Sequence, residues 1–260
     1  MKYALPVLAL IAFVSLFRCA SQTRLAPEIR QTIQRRHVGK TVALRSSCYY
    51  GDLYDENERW LLSPHPFADT YHIVDTDGSP IHPTGERGIV PAGSTFRITR
   101  IEFPDMEAMA TRMLTTPRYN PWVYLEPVEG VRLQGRSSFI MVLPMDLETE
   151  DGVERALNQR LGRPDDIQGW LDTRRPTVKV AIRHKDPVPG MSEDELRAAW
   201  GTPMLWFVEE SARVAWYRSR EVWLSDGAVT EIRPARPVPT HSIPQSDTSG
   251  STPATVADRR

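Results

Sequence analysis

The sequence predicts an α+β chain in two parts, a β-rich half and then a half in which helices pack on an antiparallel meander. Three observations carry this expectation. Between His37 and Leu143 the apolar residues come in short runs bounded by turn residues, the pattern of strands. Near Asp146 the period changes: Val153, Leu157 and Leu161 fall at i, i+4, i+8, one face of a helix. After Pro203 short aromatic runs return, and Asp226-Gly227 marks a hairpin between the last two.

The chain opens with MKYALPVLALIAFVSLFRC, one lysine followed by an apolar run from Ala4 to Phe17. That run is shorter than the roughly 20 residues a helix needs to span a bilayer. A short basic start and a short apolar core are the pattern of a secretory signal peptide, expected over residues 1–18. Leu16 and Cys19 stand where a bacterial lipoprotein signal places its leucine and its lipid-carrying cysteine, and this resemblance implies lipidation at Cys19. Phe17 and Arg18 depart from the small residues of that motif. Residues 19–36 read as a polar, net-positive tether with a short helix around Pro27–Arg35.

In residues 37–145 the runs VGKTVALR, WLLSP, YHIVD, GIVPAG, STFRITRIEF, PWVYLEPV and RSSFIMVLP read as strands. Asp77-Gly78 and Pro91-Ala92-Gly93 read as turns. Short strands at close spacing suggest a small barrel or sandwich, with an SH3-like barrel as the first expectation. Met106, Met109, Met113 and Leu114 lie at near-helical spacing, enough for one or two turns between strands.

Residues 146–233 form the second unit. Pro164 opens a helix to about Asp172 that carries Ile167, Trp170 and Leu171. TVKVAIR reads as a strand with Val178, Val180 and Ile182 on one face. In GMSEDELRAAWGTP, Ser192 and Glu195 form a capping box, Leu196, Ala199 and Trp200 supply an apolar face, and Gly201 and Pro203 stop the helix. MLWFV, ARVAWYR, REVWLSD and AVTEIRP then read as strands. Residues 234–260, rich in Pro, Ser and Thr, bury too little apolar surface to offset their ordering entropy and are expected to be disordered.

Residues 190–232, about a sixth of the chain, resemble the BamE/SmpA/OmlA-like family of small outer-membrane lipoproteins. The matching residues are Gly190-Met191-Ser192, Glu195-Leu196, Trp200-Gly201-Thr202-Pro203, Trp216-Tyr217, Val222-Trp223-Leu224 and Asp226-Gly227-Ala228-Val229. The resemblance implies a cell-envelope location and a scaffold or binding role. It names no catalytic residue. The β-rich half that precedes this unit has no counterpart in the family pattern.

Little else in the sequence carries chemistry. There is no phosphate-binding glycine loop, no H-E-x-x-H, no C-x-x-C and no G-x-S-x-G elbow. His65, His72 and His82, with Asp69, Asp75 and Asp77 between them, are the best metal candidates. Their spacings match no standard site, and polar loop residues are the favoured reading. Asp146, Glu148, Glu150 and Asp151 read as a solvated helix start, and Cys48 as a small buried apolar side chain. Trp200, Trp206, Trp216 and Trp223 are four of the seven tryptophans and crowd one small unit, so at least one is expected at the surface or at a seam. Trp206, Trp216, Trp223 and Arg218 are therefore the candidate partner contacts, with Arg213 and Arg220 as neighbours.

Acids (33) and bases (32) nearly cancel, which leaves no global basic field for nucleic acid. The expected function is thus a non-enzymatic lipoprotein without cofactor, anchored in the outer membrane and facing the periplasm, which binds or scaffolds an envelope protein. The alternatives are a peptidoglycan-binding protein acting through an SH3-like domain, and a metal-dependent envelope enzyme using the three histidines.

Overall fold

The computed structural model describes residues 23–54, 56–70, 73, 79–112, 116–128, 137–209 and 211–237. The signal segment, Cys19, His72, Asp75, the Asp77-Gly78 turn, Met113, Leu114 and the tail from residue 238 lie outside them. The described residues form a mixed α+β fold with one large mixed sheet and one small antiparallel sheet, as the alternating and helical periods predict.

The large sheet contains β1 (Thr41–Leu44), β2 (Cys48–Leu53), β3 (Glu56–Ser63), β4 (Glu86–Val90), β5 (Thr95–Glu102), β6 (Trp122–Pro127), β7 (Phe139–Val142) and β8 (Leu161–Gly162). Their spatial order is β4-β2-β3-β7-β6-β5-β1-β8. β4 and β8 end the order at opposite sides, so the sheet is open and no barrel closes. The expectation of an SH3-like barrel rested on short strands paired with their sequence neighbours. Here β3 instead runs parallel to β7, with Trp60 opposite Phe139, and β1 pairs with β8 from the second half.

One face of this sheet packs on two helices, α1 (Pro27–His37) and α3 (Glu150–Asn158). Ile33 of α1 and Val153 of α3 are both fully buried in a core with Trp60, Phe96, Ile98 and Phe139. The segment read as a tether is therefore folded from about Leu25, which is 3% exposed. The core also crosses the boundary expected at 145/146, because Val153, Leu157 and Leu161 belong to it. The opposite face carries Leu61, Ile140, Val142 and Trp122, covered by Phe67 and Ile73. A short helix, α2 (Met106–Thr111), stands between β5 and β6, and the Asp105 side chain caps it by accepting from the Ala108 amide at 3.0 Å.

Three more helices lead into the small sheet. α4 (Pro164–Asp172) starts at its proline as expected. TVKVAIR is not a strand: Pro176–His184 is a helix, α5. Val178 and Ile182 lie on one side in either period, and only Val180 separates the two readings. It is 56% exposed, while Ala181, one turn after Val178, is buried. α6 (Glu193–Trp200) has its capping box, with Ser192 Oγ accepting from the Glu195 amide and Glu195 Oε2 from the Ser192 amide. The meander follows: β9 (Leu205–Glu209), β10 (Ala212–Tyr217), β11 (Arg220–Ser225) and β12 (Ala228–Pro234), in the order β12-β11-β10-β9. Asp226 (φ 50°) and Gly227 (φ 76°) form the last hairpin turn, the left-handed pair a two-residue connection demands. One face of the meander packs on α5 and α6 through Ala215, Tyr217, Val222 and Leu224.

Candidate functional site

The two sheets meet where α6 ends. Gly201 has φ 81°, and a Cβ added there would sit 2.8 Å from Cβ of Pro64, which follows β3. Glycine thus does two jobs: it takes a backbone conformation closed to other residues and lets the halves touch. The Gly-x-Pro signal that ends the helix in the sequence marks this seam.

Beside this contact lies Lys185, 6% exposed and in left-handed backbone (φ 56°) at the end of α5. Its ammonium donates to three carbonyls, Ser47 O (2.7 Å), Pro64 O (2.8 Å) and Ala199 O (2.7 Å). Two belong to the large-sheet half and one to α6, so a single side chain fastens both units. Ser47 reinforces the joint, its hydroxyl donating to Ile182 O at 2.7 Å and its amide to Ala198 O at 2.9 Å. Burial lowers the Lys185 pKa to about 8. Three acceptors and the carbonyl ends of α5 and α6 favour the charged form, which alone offers three donors. The Tyr49 ring faces the ammonium at 4.7 Å.

A cavity of about 350 Å³ opens on one side of the Pro64–Gly201 contact. Its walls include Tyr49, Trp200, Met204 and Tyr217, and its rim carries Asp69, Asp186, Arg218 and Arg220. The walls are held rigidly: Trp200 Nε1 donates to Lys185 O at 2.8 Å, and Tyr217 Oη donates to Gly201 O at 3.0 Å. A second cavity, about 550 Å³, lies on the other side, with Arg45, Arg160 and Arg197 facing Asp166 and Asp194. Aromatic walls with a charged rim at a junction between units are the usual anatomy of a ligand cleft.

The titratable groups beneath the cleft are held in unreactive states. Burial raises the Cys48 thiol to about 11, so at neutral pH it is not a thiolate. Burial, and secondarily the Lys185 charge, lowers His65 to about 3, so it stays neutral. All three Lys185 protons are engaged. Among the described residues no group of three or more His, Cys, Asp or Glu is placed to hold a metal ion. His65 is buried at the seam, and a ring nitrogen of His82 lies 3.2 Å from Phe67 O.

Of the candidate partner contacts, Arg218 is exposed at the cleft mouth. The tryptophans are not gathered with it. Trp206 is half-buried on the helix side of β9, with the guanidinium carbons of Arg213 and Arg197 4.1 Å and 5.8 Å from its ring centre. Trp216 and Trp223 lie on the opposite face of the meander. There Trp216 Nε1 donates to Arg236 O at 3.2 Å, and Arg233 stands 4.4 Å over Trp223. Arg236 also crosses this face to Glu221 and Glu209. The tryptophan at the seam is Trp200. Sequence reasoning missed Lys185, Tyr49 and Tyr217; Lys185 went unnoticed because α5 had the pattern of a strand, which hid a lysine at a helix C-terminus.

No family model, curated protein or solved structure matches the chain.

Proposed function

We propose that this chain is an exported, lipid-anchored protein of a bacterial cell envelope, and that it works without catalysis as a binding or scaffold module through the cleft between its sheets. The observation that carries the binding reading is the pairing of aromatic walls and a charged rim with titratable groups locked in unreactive states. The anchoring reading is supported by the leader-like run that ends at Cys19 and by the resemblance of residues 190–232 to outer-membrane lipoproteins. With Leu25 already buried, six peptide steps separate the proposed anchor from the folded body. The body then rides within about 20 Å of the lipid surface, facing the periplasm.

Two measurements test the reading. A lipid precursor should label the wild-type chain and not Cys19→Ala, and the variant should leave the membrane fraction; unchanged labelling would sink the anchor. A photo-crosslinker placed at Arg218 should capture an envelope protein in intact cells. The same probe at Lys179, a half-exposed position on α5 away from the cleft, should not. Equal capture from both positions would remove the cleft as the binding site.

A further inference from the structure

Strands at sheet edges leave half of their amides and carbonyls unpaired within the sheet, and most edges here carry a device that discourages another strand from adding. β4 has an extra residue, Arg87, between Glu86 and Gly88 in its pairing with β2, and it opens on those two charges. β8 is two residues long. β12 bulges at Thr230 and continues with Glu231, Arg233 and Pro234. β9 is different. LWFVE pairs with β10 in unbroken register, contains no proline or lysine, and has its one charge at the end. Val208 is 74% exposed, the highest value of any large apolar side chain among the described residues, and Leu205, Trp206 and Phe207 are half-buried. Among the described residues nothing pairs with the outer side of β9.

We propose that β9 is a self-association edge: a second copy of this chain adds its own β9 antiparallel, about a twofold axis through Phe207, and the two meanders become one eight-stranded sheet. The case for a second copy is self-complementarity. In that register Val208 of each copy stands opposite Trp206 of the other, on the helix-covered face. Such β-branched and aromatic cross-strand pairs are among the favourable ones. On the other face Phe207 meets its own copy, and Glu209 stands opposite Leu205, never opposite another carboxylate. Each Glu209 charge is already taken up in its own chain by Arg236, at 2.6 Å and 3.1 Å. A register shifted by one residue would set the helix-covered face of one meander beside the open face of the other, so only the even registers continue the sheet.

The test uses the full chain in detergent. Light scattering at about 100 µM, with bound detergent subtracted, should give twice the mass of one chain. Val208→Lys should raise the dissociation constant at least tenfold, while Val208→Thr, which keeps strand propensity, should change it less than threefold. Because Val208 is largely exposed, neither variant should alter the helix and strand content read by far-ultraviolet circular dichroism. Mild oxidation should crosslink Phe207→Cys to its own copy, whereas Glu231→Cys on the opposite edge should form no disulfide-linked dimer. Monomer mass for the wild type at that concentration would overturn the proposal. So would a dimer indifferent to Val208→Lys, crosslinking of Phe207→Cys no stronger than that of Glu231→Cys, or pairing of β9 with another protein in place of itself.

Discussion

Lys185 and Arg112 are both buried cations, at 6% and 8% exposure, and the surroundings of each keep it charged by different means. Arg112 has a carboxylate. Its Nε donates to Glu102 Oε1 at 2.8 Å, Nη2 lies 2.7 Å from the same oxygen, and Nη1 donates to Arg118 O and Asn120 O. The guanidinium stacks 4.0 Å over Trp122, inside one sheet and its loop. Lys185 has no carboxylate among its hydrogen-bond partners. Three carbonyls and two helix ends surround it, drawn from both units. Burial lowers the pKa of both groups. Within one unit a counter-charge is available on a neighbouring strand. At a seam, backbone carbonyls do the same work without leaving a charge behind when the cation is removed.

That last difference sets the order of expected effects. Arg112→Met leaves the buried Glu102 carboxylate with only the exposed Arg100 and the Tyr124 hydroxyl, and should cost about 3–5 kcal/mol in urea unfolding. In a Glu102→Gln background the same change should cost at least about 1 kcal/mol less, a coupling a double-mutant cycle reads directly. Lys185→Met leaves three carbonyls short of a donor but no naked charge, and should cost about 1–3 kcal/mol. No single carboxylate replacement should rescue it; a rescue as large as that of Arg112 would erase the contrast. Gly201→Ala, which strains the backbone and drives a methyl into Pro64, should cost about 1–3 kcal/mol and loosen the cleft.

The last effect is electrostatic, a loss of stability that vanishes at neutral pH and opens only in acid. His65 has a folded pKa of about 3, below its unfolded value near 6.5, so the unfolded chain binds the extra proton between those limits. Its contribution to stability is complete above pH 6.5 and is lost as pH falls toward 3, with a slope of about 1.4 kcal/mol per pH unit. His65→Gln should flatten that limb in acid unfolding curves. Removing the neighbouring charge with Lys185→Met should move the His65 titration upward in NMR, though only in part, because burial is the larger cause.

Local signals in the sequence proved reliable where a single residue decides the structure. Ser192 and Glu195 cap α6, Asp226 and Gly227 turn the last hairpin, and Pro164 opens α4. Signals that depend on distant partners were not legible. Val178, Val180 and Ile182 alternate as a strand would, and the buried Ala181 that makes α5 a helix is uninformative by itself. Ile33 lies in a segment that reads as a polar tether, because the β5 strand it packs on lies more than sixty positions away. The barrel expectation failed for the same reason, since parallel pairing of β3 with β7 leaves no local mark. Of the candidate cleft the sequence reading named Arg218 alone; Gly201 read only as a helix stop, and Lys185 and Tyr49 acquire meaning only when the seam brings them together.

The pairing of β1 with β8 has a consequence for how the chain comes into being. Residues 161–162 complete the sheet that residues 41–44 begin, and α3 supplies part of that sheet's core. A chain emerging N-terminus first, whether from a ribosome or through a translocation pore, cannot finish its first folding unit until well over half of it has appeared. Until then the β1 edge stands unpaired, and the sheet face that α3 covers is only partly screened by α1. Synthesis or export that stalls before residue 162 leaves an unfinished, adhesive sheet, whereas a stall after it leaves one complete unit waiting for the meander.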